Sequence, residues 1–311
     1  KGIFHTLESI GSARIEGNNT TIAEYIGTER DTAGAGESRF REIANIERAM
    51  DFIEDTADDV PLDRAYICEL HRIAVEGLPL PPDGEGDLTP GMFRTVEVSI
   101  ARSEHQPPTF MQVDEYMQEL TAFMAEKTAS KYDLMKTALA HHRFAWIHPF
   151  RNGNGRVVRL LTYAMLARQG FNVHEGRLIN PTAVFCSDRN RYYRYLAKAD
   201  SEGDAGKLAW CAYVLGGLRE EIEKLDRLAD YPYLVSEIIL PAIEYAHDNT
   251  LITDTEKKVL LKAATEQSIQ ASDLKDIFKG KQSSEISRQI RRMIDKKLLV
   301  PEKENGRRYH L

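Results

Sequence analysis

The chain has 311 residues, of which 42% are hydrophobic and 29% charged, and its formal net charge is −7. That balance excludes a disordered tail, a collagen-like fibre and a disulfide-dense secreted module. Its apolar runs stop short of the ~18–20 residues that span a bilayer, no basic segment followed by an apolar one opens the chain, and Cys68, Cys186 and Cys211 form no CxxC pair. The expectation is a cytoplasmic protein with reduced thiols and no membrane partner.

Helical periodicity dominates from the start. Ser12 and Glu16 lie four apart, on one face of a helix that Gly17-Asn18 stops. They miss the capping-box spacing by one residue, so capping does not explain them. Thr21-Ile22-Ala23-Glu24 does have that spacing and opens a new helix. Ile43, Ile46, Met50 and Ile53 recur at three and four, as one buried helix face requires. Leu78–Gly91, rich in Pro, Gly and Asp, reads as a loop. Thr95–Ile100 alternates apolar and polar residues between Pro90-Gly91 and Pro107-Pro108, which predicts a local β-hairpin. Leu134, Leu139 and Phe144 mark a further helix, and Leu160–Leu166 another. His141 and His142 have no acidic partner in register, so they read as packing residues.

Between those last two helices lies the informative stretch, His148-Pro149-Phe150-Arg151-Asn152-Gly153-Asn154-Gly155-Arg156-Val157-Val158-Arg159. Gly153 and Gly155 let backbone approach a ligand closely. The turn leads straight into a helix, whose first N–H groups form an anion site. Arg156 and Arg159 are three apart and can bracket a polyphosphate with planar, two-pronged guanidinium groups. His148 can accept a proton near neutral pH. A base beside a phosphate cradle is the reading of these residues. There is no GxxxxGK[ST] loop and no third glycine of a dinucleotide fingerprint.

Near 230–252 the punctuation changes, with Asp230-Tyr231-Pro232 and Pro241. Residues 252–311 carry 14 Lys/Arg against 9 Asp/Glu, or +5, and the other 251 carry 27 against 39, or −12. Helices are predicted over Thr253–Ala264, Ser272–Phe278 and Ser283–Lys297. The last has an apolar stripe of Ile286, Ile290, Met293, Ile294 and Leu298 opposite Arg288, Arg291, Arg292 and Lys296. Leu299-Val300 and Tyr309-His310-Leu311 flank Asn305-Gly306, a pair that favours a type I′ turn and so a hairpin. Three helices closed by a hairpin are similar in pattern to a winged helix-turn-helix, and the basic face suits DNA or a protein partner.

The stretch at His148 resembles the signature of the Fic family, HxFx(D/E)GNGRxxR, matched here at His148, Phe150, Gly153, Asn154, Gly155, Arg156 and Arg159. Gly91-Met92-Phe93-Arg94, Val98-Ser99-Ile100 and Pro107-Pro108 resemble the family's flap, and Ser187–Tyr193 its downstream segment. Ser12-Ala13-Arg14-Ile15-Glu16-Gly17 matches its inhibitory-helix signature, (S/T)xxxE(G/N). The resemblance implies a mainly α fold: an N-terminal helical region with the inhibitory helix (1–60), a helical Fic core (61–225) with a β-hairpin flap near 93–108, linker helices (226–250) and a winged-helix-like unit (251–311).

It implies a protein adenylyltransferase of bacterial type, moving AMP from ATP to Ser, Thr or Tyr hydroxyls of a target protein. His148 would be the base, and Gly153, Asn154, Gly155, Arg156, Arg159 and Tyr193 the nucleotide and phosphate contacts. Val98, Ser99, Ile100 and Ala101 would dock the target, and Ser12 and Glu16 would inhibit by Glu16 pairing with Arg159. Self-modification and a homodimer are further expectations. Asn152 stands where the family signature has an acid that binds Mg²⁺, so metal affinity and turnover are expected to fall. The alternative is a low-activity nucleotide sensor or DNA-associated regulator with an impaired core, or transfer of another nucleotide or a phosphate group.

Overall fold

A computed structural model describes residues 2–22, 24–25, 37–56, 60–100, 105–171, 180–303 and 306–311. It divides into two compact units, Lys1–Glu223 and Lys224–Leu311. Among the described residues no helix is long and apolar enough to cross a membrane, and the three cysteines are free thiols.

The first unit is helical. In chain order it holds α1 (Gly2–Glu16), α2 (Glu37–Thr56), α3 (Arg64–Val75), α4 (Val113–Ala125), α5 (Asp133–Ile147), α6 (Asn154–Arg168), α7 (Pro181–Cys186), α8 (Arg189–Ser201) and α9 (Gly203–Ala229), whose last turns enter the second unit. Local chemistry sets several starts. Asp63 accepts the Tyr66 N–H ahead of α3, Asn180 accepts from Ala183 with Pro181 in the first turn of α7, and Asp188 accepts from Arg191 ahead of α8.

The central element is α6. From Arg156 to Ala167 every residue is buried, and α1, α2, α3, α5 and α7 pack around it. A helix covered on all sides needs apolar residues all round, and Val157, Val158, Leu160, Leu161, Ala164 and Leu166 supply them. Ile43, Ile46, Met50 and Ile53, the stripe read from the sequence, lie in the same core on α2. A second cluster forms around fully buried Trp210, whose Nε1 donates to the Ala138 carbonyl at 2.6 Å.

The inner face of α1 is unusually polar. His5, Glu8, Ser9 and Ser12 are all buried. Glu8 Oε1 accepts the Thr182 N–H at 3.1 Å, while Glu8 Oε2 is buried with no hydrogen-bond partner among the described residues. Burial pushes the Glu8 carboxyl up to about 8, against the smaller pull of Thr182 and Arg159.

The flap differs from expectation. Residues 93–100 are not in a strand; they run as bends and extended chain. Ala101 and the expected return arm at 101–104 lie outside the described residues. The carbonyls of Val96 and Pro108 that a ladder would use accept instead from the Arg94 side chain.

The second unit runs through α10 (Tyr231–Leu234), a π-turn at Val235–Ile239 and α11 (Leu240–Asp248) to α12 (Asp254–Glu266) and α13 (Ser283–Asp295). Thr253 and Glu256 form the capping box of α12. The predicted helix at Ser272–Phe278 is only a 3₁₀ turn at Ala271–Leu274. The ladder of β1 (Ile269–Gln270), which the sequence reading lacked, holds the chain extended up to that turn, and Leu274 and Phe278 then drop into the core. β2 (Val300–Pro301) and β3 (Arg308–His310) pair antiparallel, and β3 also pairs with β1, giving the order β1-β3-β2. Glu304 and Asn305 of the predicted turn lie outside the described residues. The stripe Ile286, Ile290 and Met293 is buried, and Arg288, Arg291, Arg292 and Lys296 are exposed.

Because the folded chain holds the Glu8 proton up to about pH 8 and the unfolded chain releases it near the usual 4.5, this carboxyl's contribution is complete below 4.5 and is lost as pH rises toward 8. Glu8→Gln is therefore expected to gain thermal stability relative to the parent at pH 8 but not at pH 4.5, which paired melting curves would show.

Candidate active site

The site is built where α5 ends and α6 begins. His148 closes α5 in the left-handed region (φ 52°, ψ 61°), with its N–H on the Phe144 carbonyl at 3.0 Å. Phe150 is fully buried, stacked on His71 with ring centres 3.8 Å apart and edge-on to Phe93. Asn154 ties the loop to itself: its Oδ1 accepts from Phe150 N at 2.9 Å and its Nδ2 donates to Phe150 O at 2.8 Å. Gly153 adopts φ 75° against Val75, where an added Cβ would come within 2.9 Å of the Val75 side chain.

The next wall of the site comes from α3 and the loop after it. His71 Nδ1 accepts the Gly91 N–H at 2.9 Å, which leaves the proton on Nε2, 3.2 Å from the Asn152 carbonyl. Asp87 Oδ2 accepts the Asn152 N–H at 2.8 Å. Burial opposes the Asp87 charge, yet bonds from His71, Thr89 and Asn152 hold its pKa down at about 2. The Asn152 side chain donates to Glu85 Oε2 at 3.3 Å and to the Gly86 carbonyl at 3.1 Å.

At the α6 N-terminus sits a carboxylate from α1. A Cβ on Gly155 would overlap Glu16 Oε1, so the missing side chain is what admits this oxygen. Arg159, 2% exposed, donates from Nε to Ser12 Oγ at 2.8 Å, and from one Nη to the Ser12 carbonyl at 3.1 Å and to Glu16 Oε1 at 2.6 Å. Burial opposes ionisation of Glu16, but the charge and hydrogen bond of Arg159 outweigh it and keep the carboxyl below its usual range. Two motifs 143 residues apart thus meet at one ion pair on a helix start.

Arg156 lies elsewhere. It is 1% exposed and donates to the carbonyls of Ala74 and Glu85, with Glu42 at 3.7 Å and Glu85 at 3.8 Å. In this position Arg156 ties α3 and its loop to α6. Tyr193 is 41% exposed, with Arg189 over its ring at 5.6 Å. His141 bonds Thr162 and Tyr192, and His142 bonds Asp200, so both act in packing.

His148 is pushed down to about 4, by burial first and by the nearby charges of Arg94 and His105 next, against the Ala145 carbonyl and Glu16. It is therefore a neutral imidazole across the physiological range. Residues not singled out from sequence complete the site: His71, Glu85, Asp87 and Arg94. Only the Asp and Gly content of the loop and the Gly-Met-Phe-Arg segment hinted at them.

A buried helix start that holds a carboxylate against a glycine and an arginine, beside a neutral histidine, has the chemistry to hold an anion near a proton acceptor. The helical fold around it is the Fic fold. It matches a Fic family protein from Desulfovibrio desulfuricans G20 (TM-score 0.59, 19% identity, covering 99% of this chain and 86% of that one) and a Fic domain containing signaling protein from Bacteroides thetaiotaomicron VPI-5482 (TM-score 0.58, 19% identity, covering 71% and 85%). Residues 61–166 match the model of the Fic/DOC family. The chain is also similar to protein adenylyltransferase Fic of Nematostella vectensis, at 28% identity over 197 residues, and of Drosophila yakuba, at 31% over 205. Those alignments take in 61% and 64% of this chain and only 42% and 37% of the relatives.

Gly155→Ala is expected to push Glu16 off Arg159, since the new methyl and Oε1 cannot share the space. The protein should lose ~1–3 kcal/mol of stability in urea denaturation, and α1 amides should exchange faster with deuterium than those of α5.

Proposed function

We propose that the chain is a protein adenylyltransferase held in check by its own α1. One observation carries this reading: the Glu16 carboxylate sits on Gly155 at the α6 N-terminus and engages Arg159. A site that accepts a carboxylate there also suits the outermost phosphate of ATP, because both are oxyanions seeking the same donors. The two cannot be present together. Release of Glu16 would free Arg159 and the helix start, and a balance of ~1–3 kcal/mol suffices to couple the two events.

With ATP seated along the 153–155 loop, His148 takes the proton from a Ser, Thr or Tyr hydroxyl of the target. The hydroxyl oxygen then forms a bond to the α-phosphorus as the bond to the β-phosphate oxygen breaks. AMP stays on the target and pyrophosphate leaves. The catalytic contribution is positioning and charge stabilisation. Asn154 holds the loop closed on Phe150, and the extended residues Val98, Ser99 and Ile100 would align the target backbone. Tyr193 lies at the rim, where a base could stack.

Among the described residues no group of three His, Cys, Asp or Glu side chains gathers as a metal cage would. A cation held chiefly by phosphates needs only one or two protein oxygens. The Asn152 Nδ2 donates to Glu85 Oε2 and to the Gly86 carbonyl, so Oδ1 is the amide atom that could face a cation, and through it Asn152 would hold Mg²⁺, which when bound neutralises phosphate charge.

A second reading has its own observations, the amide at 152 and the exposed basic face of α13. In it the core senses nucleotide weakly and the Lys224–Leu311 unit, winged-helix-like in its order of elements, binds DNA. Binding of the full chain to duplex DNA that weakens steeply with salt would favour that reading.

Glu16→Gly with ATP and Mg²⁺ is expected to raise self-modification by about tenfold or more, read as mass gained per molecule. His148→Ala in that background should abolish it, and an unchanged mass in Glu16→Gly overturns the proposal. In the same background Asn152→Asp should raise the rate and lower the Mg²⁺ needed. Since the neutral form of His148 is the base and its pKa is about 4, activity should hold from pH 8 down to pH 5 and fall only below that, instead of halving near 6.5.

A further inference from the structure

Among the described residues, Arg94 is a buried cation whose carboxylate partner is itself exposed. Its side chain is wholly enclosed, and the nearest carboxylate, Glu97, lies 3.5 Å away with its own side chain 62% exposed. A charge so enclosed ordinarily demands a close, buried partner. Here backbone carbonyls take that role. Nε donates to His148 O at 2.9 Å, one Nη donates to Val96 O at 3.2 Å, and the other donates to Pro108 O at 2.5 Å and Ile147 O at 3.4 Å. The Arg94 backbone N–H adds a bond to Pro149 O at 2.8 Å.

Those carbonyls belong to two places that chemistry must bring together. Val96 and Pro108 are the two ends of the flap. Ile147, His148 and Pro149 are the end of α5 and the turn that carries the base. The last carbonyls of a helix are unsatisfied and bear partial negative charge, so the end of α5 is an electrostatic partner for the guanidinium. A left-handed φ at a residue other than glycine is strained and persists only where neighbours fix it. The peptide oxygen of His148 itself is fixed by Arg94 Nε. On the far side the segment is anchored again, by Gly91 N–H on His71 and by Phe93 on Phe150. Filling space alone would need only an apolar side chain. Planar, multidentate donation to carbonyls on both sides is what arginine adds.

We propose that Arg94 is a positioning residue that sets the distance and orientation between the target docked on the flap and the His148 imidazole. The inference rests on the reading of His148 as base and of residues 95–100 as the target dock. Arg94 touches neither nucleotide nor acceptor in this role and acts through His148 and the flap. The charged and titratable groups that bear on His148 are Arg94, His105 and Glu16, so removal of one cation from this set has a sign. Without Arg94 the imidazolium is easier to form.

The test compares Glu16→Gly protein with Glu16→Gly carrying Arg94→Met or Arg94→Lys. Three quantities are read: the maximal self-modification rate with ATP and Mg²⁺, the KM for ATP, and the His148 pKa by NMR. Arg94→Met should lower the maximal rate by about tenfold to a hundredfold, the scale of a misplaced reacting group, with KM for ATP little changed and the His148 pKa raised toward the ordinary histidine value. Arg94→Lys keeps the charge and loses the fork, so the rate should still fall while the pKa stays near that of the parent. Parent-like rate and pKa in both variants overturn the proposal. A fall in rate matched by a proportional rise in KM for ATP also overturns it, because that marks a general loss of the nucleotide site. If Arg94→Met does not fold, Arg94→Lys decides by its rate and KM. If the Glu16→Gly parent transfers nothing, the adenylyltransferase reading fails by itself. The His148 titration then decides whether Arg94 acts on His148, a raised pKa in Arg94→Met supporting it and an unchanged one refuting it.

Discussion

One buried guanidinium organises the molecule. Arg159 lies within a helix covered on every side, where an unpaired charge would be prohibitive, and α1 supplies the answer through the hydroxyl and carbonyl of Ser12 and the carboxylate of Glu16. The pair is also the point at which α1 is bonded to the loop chemistry. Truncating Glu16 would leave the buried Arg159 charge with Ser12 alone, so under the proposed autoinhibition the docking of α1 and the occupancy of the anion site are one equilibrium.

The docking face itself is compatible with release. A helix meant to stay would bury an apolar stripe. This one buries His5, Glu8, Ser9 and Ser12, with a carboxyl oxygen that has no hydrogen-bond partner among the described residues. Ile10, Ala13 and Ile15 hold it in the core, while the polar residues subtract from that hold. Such a face fits the proposed role, in which α1 gives way to a ligand at Arg159.

Much of the site was legible because its residues are close in sequence. The turn from His148 to Arg159 is a local object, and the four-residue spacing of Ser12 and Glu16 places both on the face that meets Arg159. The capping box at Thr253 and the stripe of α13 were local too. What escaped the sequence was long-range. Arg156 looked equivalent to Arg159 at i, i+3, but only the fold brings Glu42, Ala74 and Glu85 to it. Thr95–Ile100 has the alternation of a strand, yet its neighbourhood offers a guanidinium where a ladder would be. Arg94, His71 and Asp87 act through backbone atoms of distant residues, which no side-chain pattern encodes. The 3₁₀ turn at Ala271 depends on β1, whose partner strand lies near the end of the chain.

The contact between α1 and α6 has a temporal side. Glu16 and Arg159 are separated by 143 positions. A ribosome adding ~5–20 residues per second delivers the arginine roughly seven to thirty seconds after the glutamate. Through that interval α1 can pack on α2, made soon after it, but lacks α6 and α7, the other helices it covers. Its polar inner face lowers the cost of that wait, since His5, Glu8, Ser9 and Ser12 remain hydrated. The polar residues of that face therefore stay hydrated until their partners exist, and closure of α1 over α6 can follow only once α6 has been made.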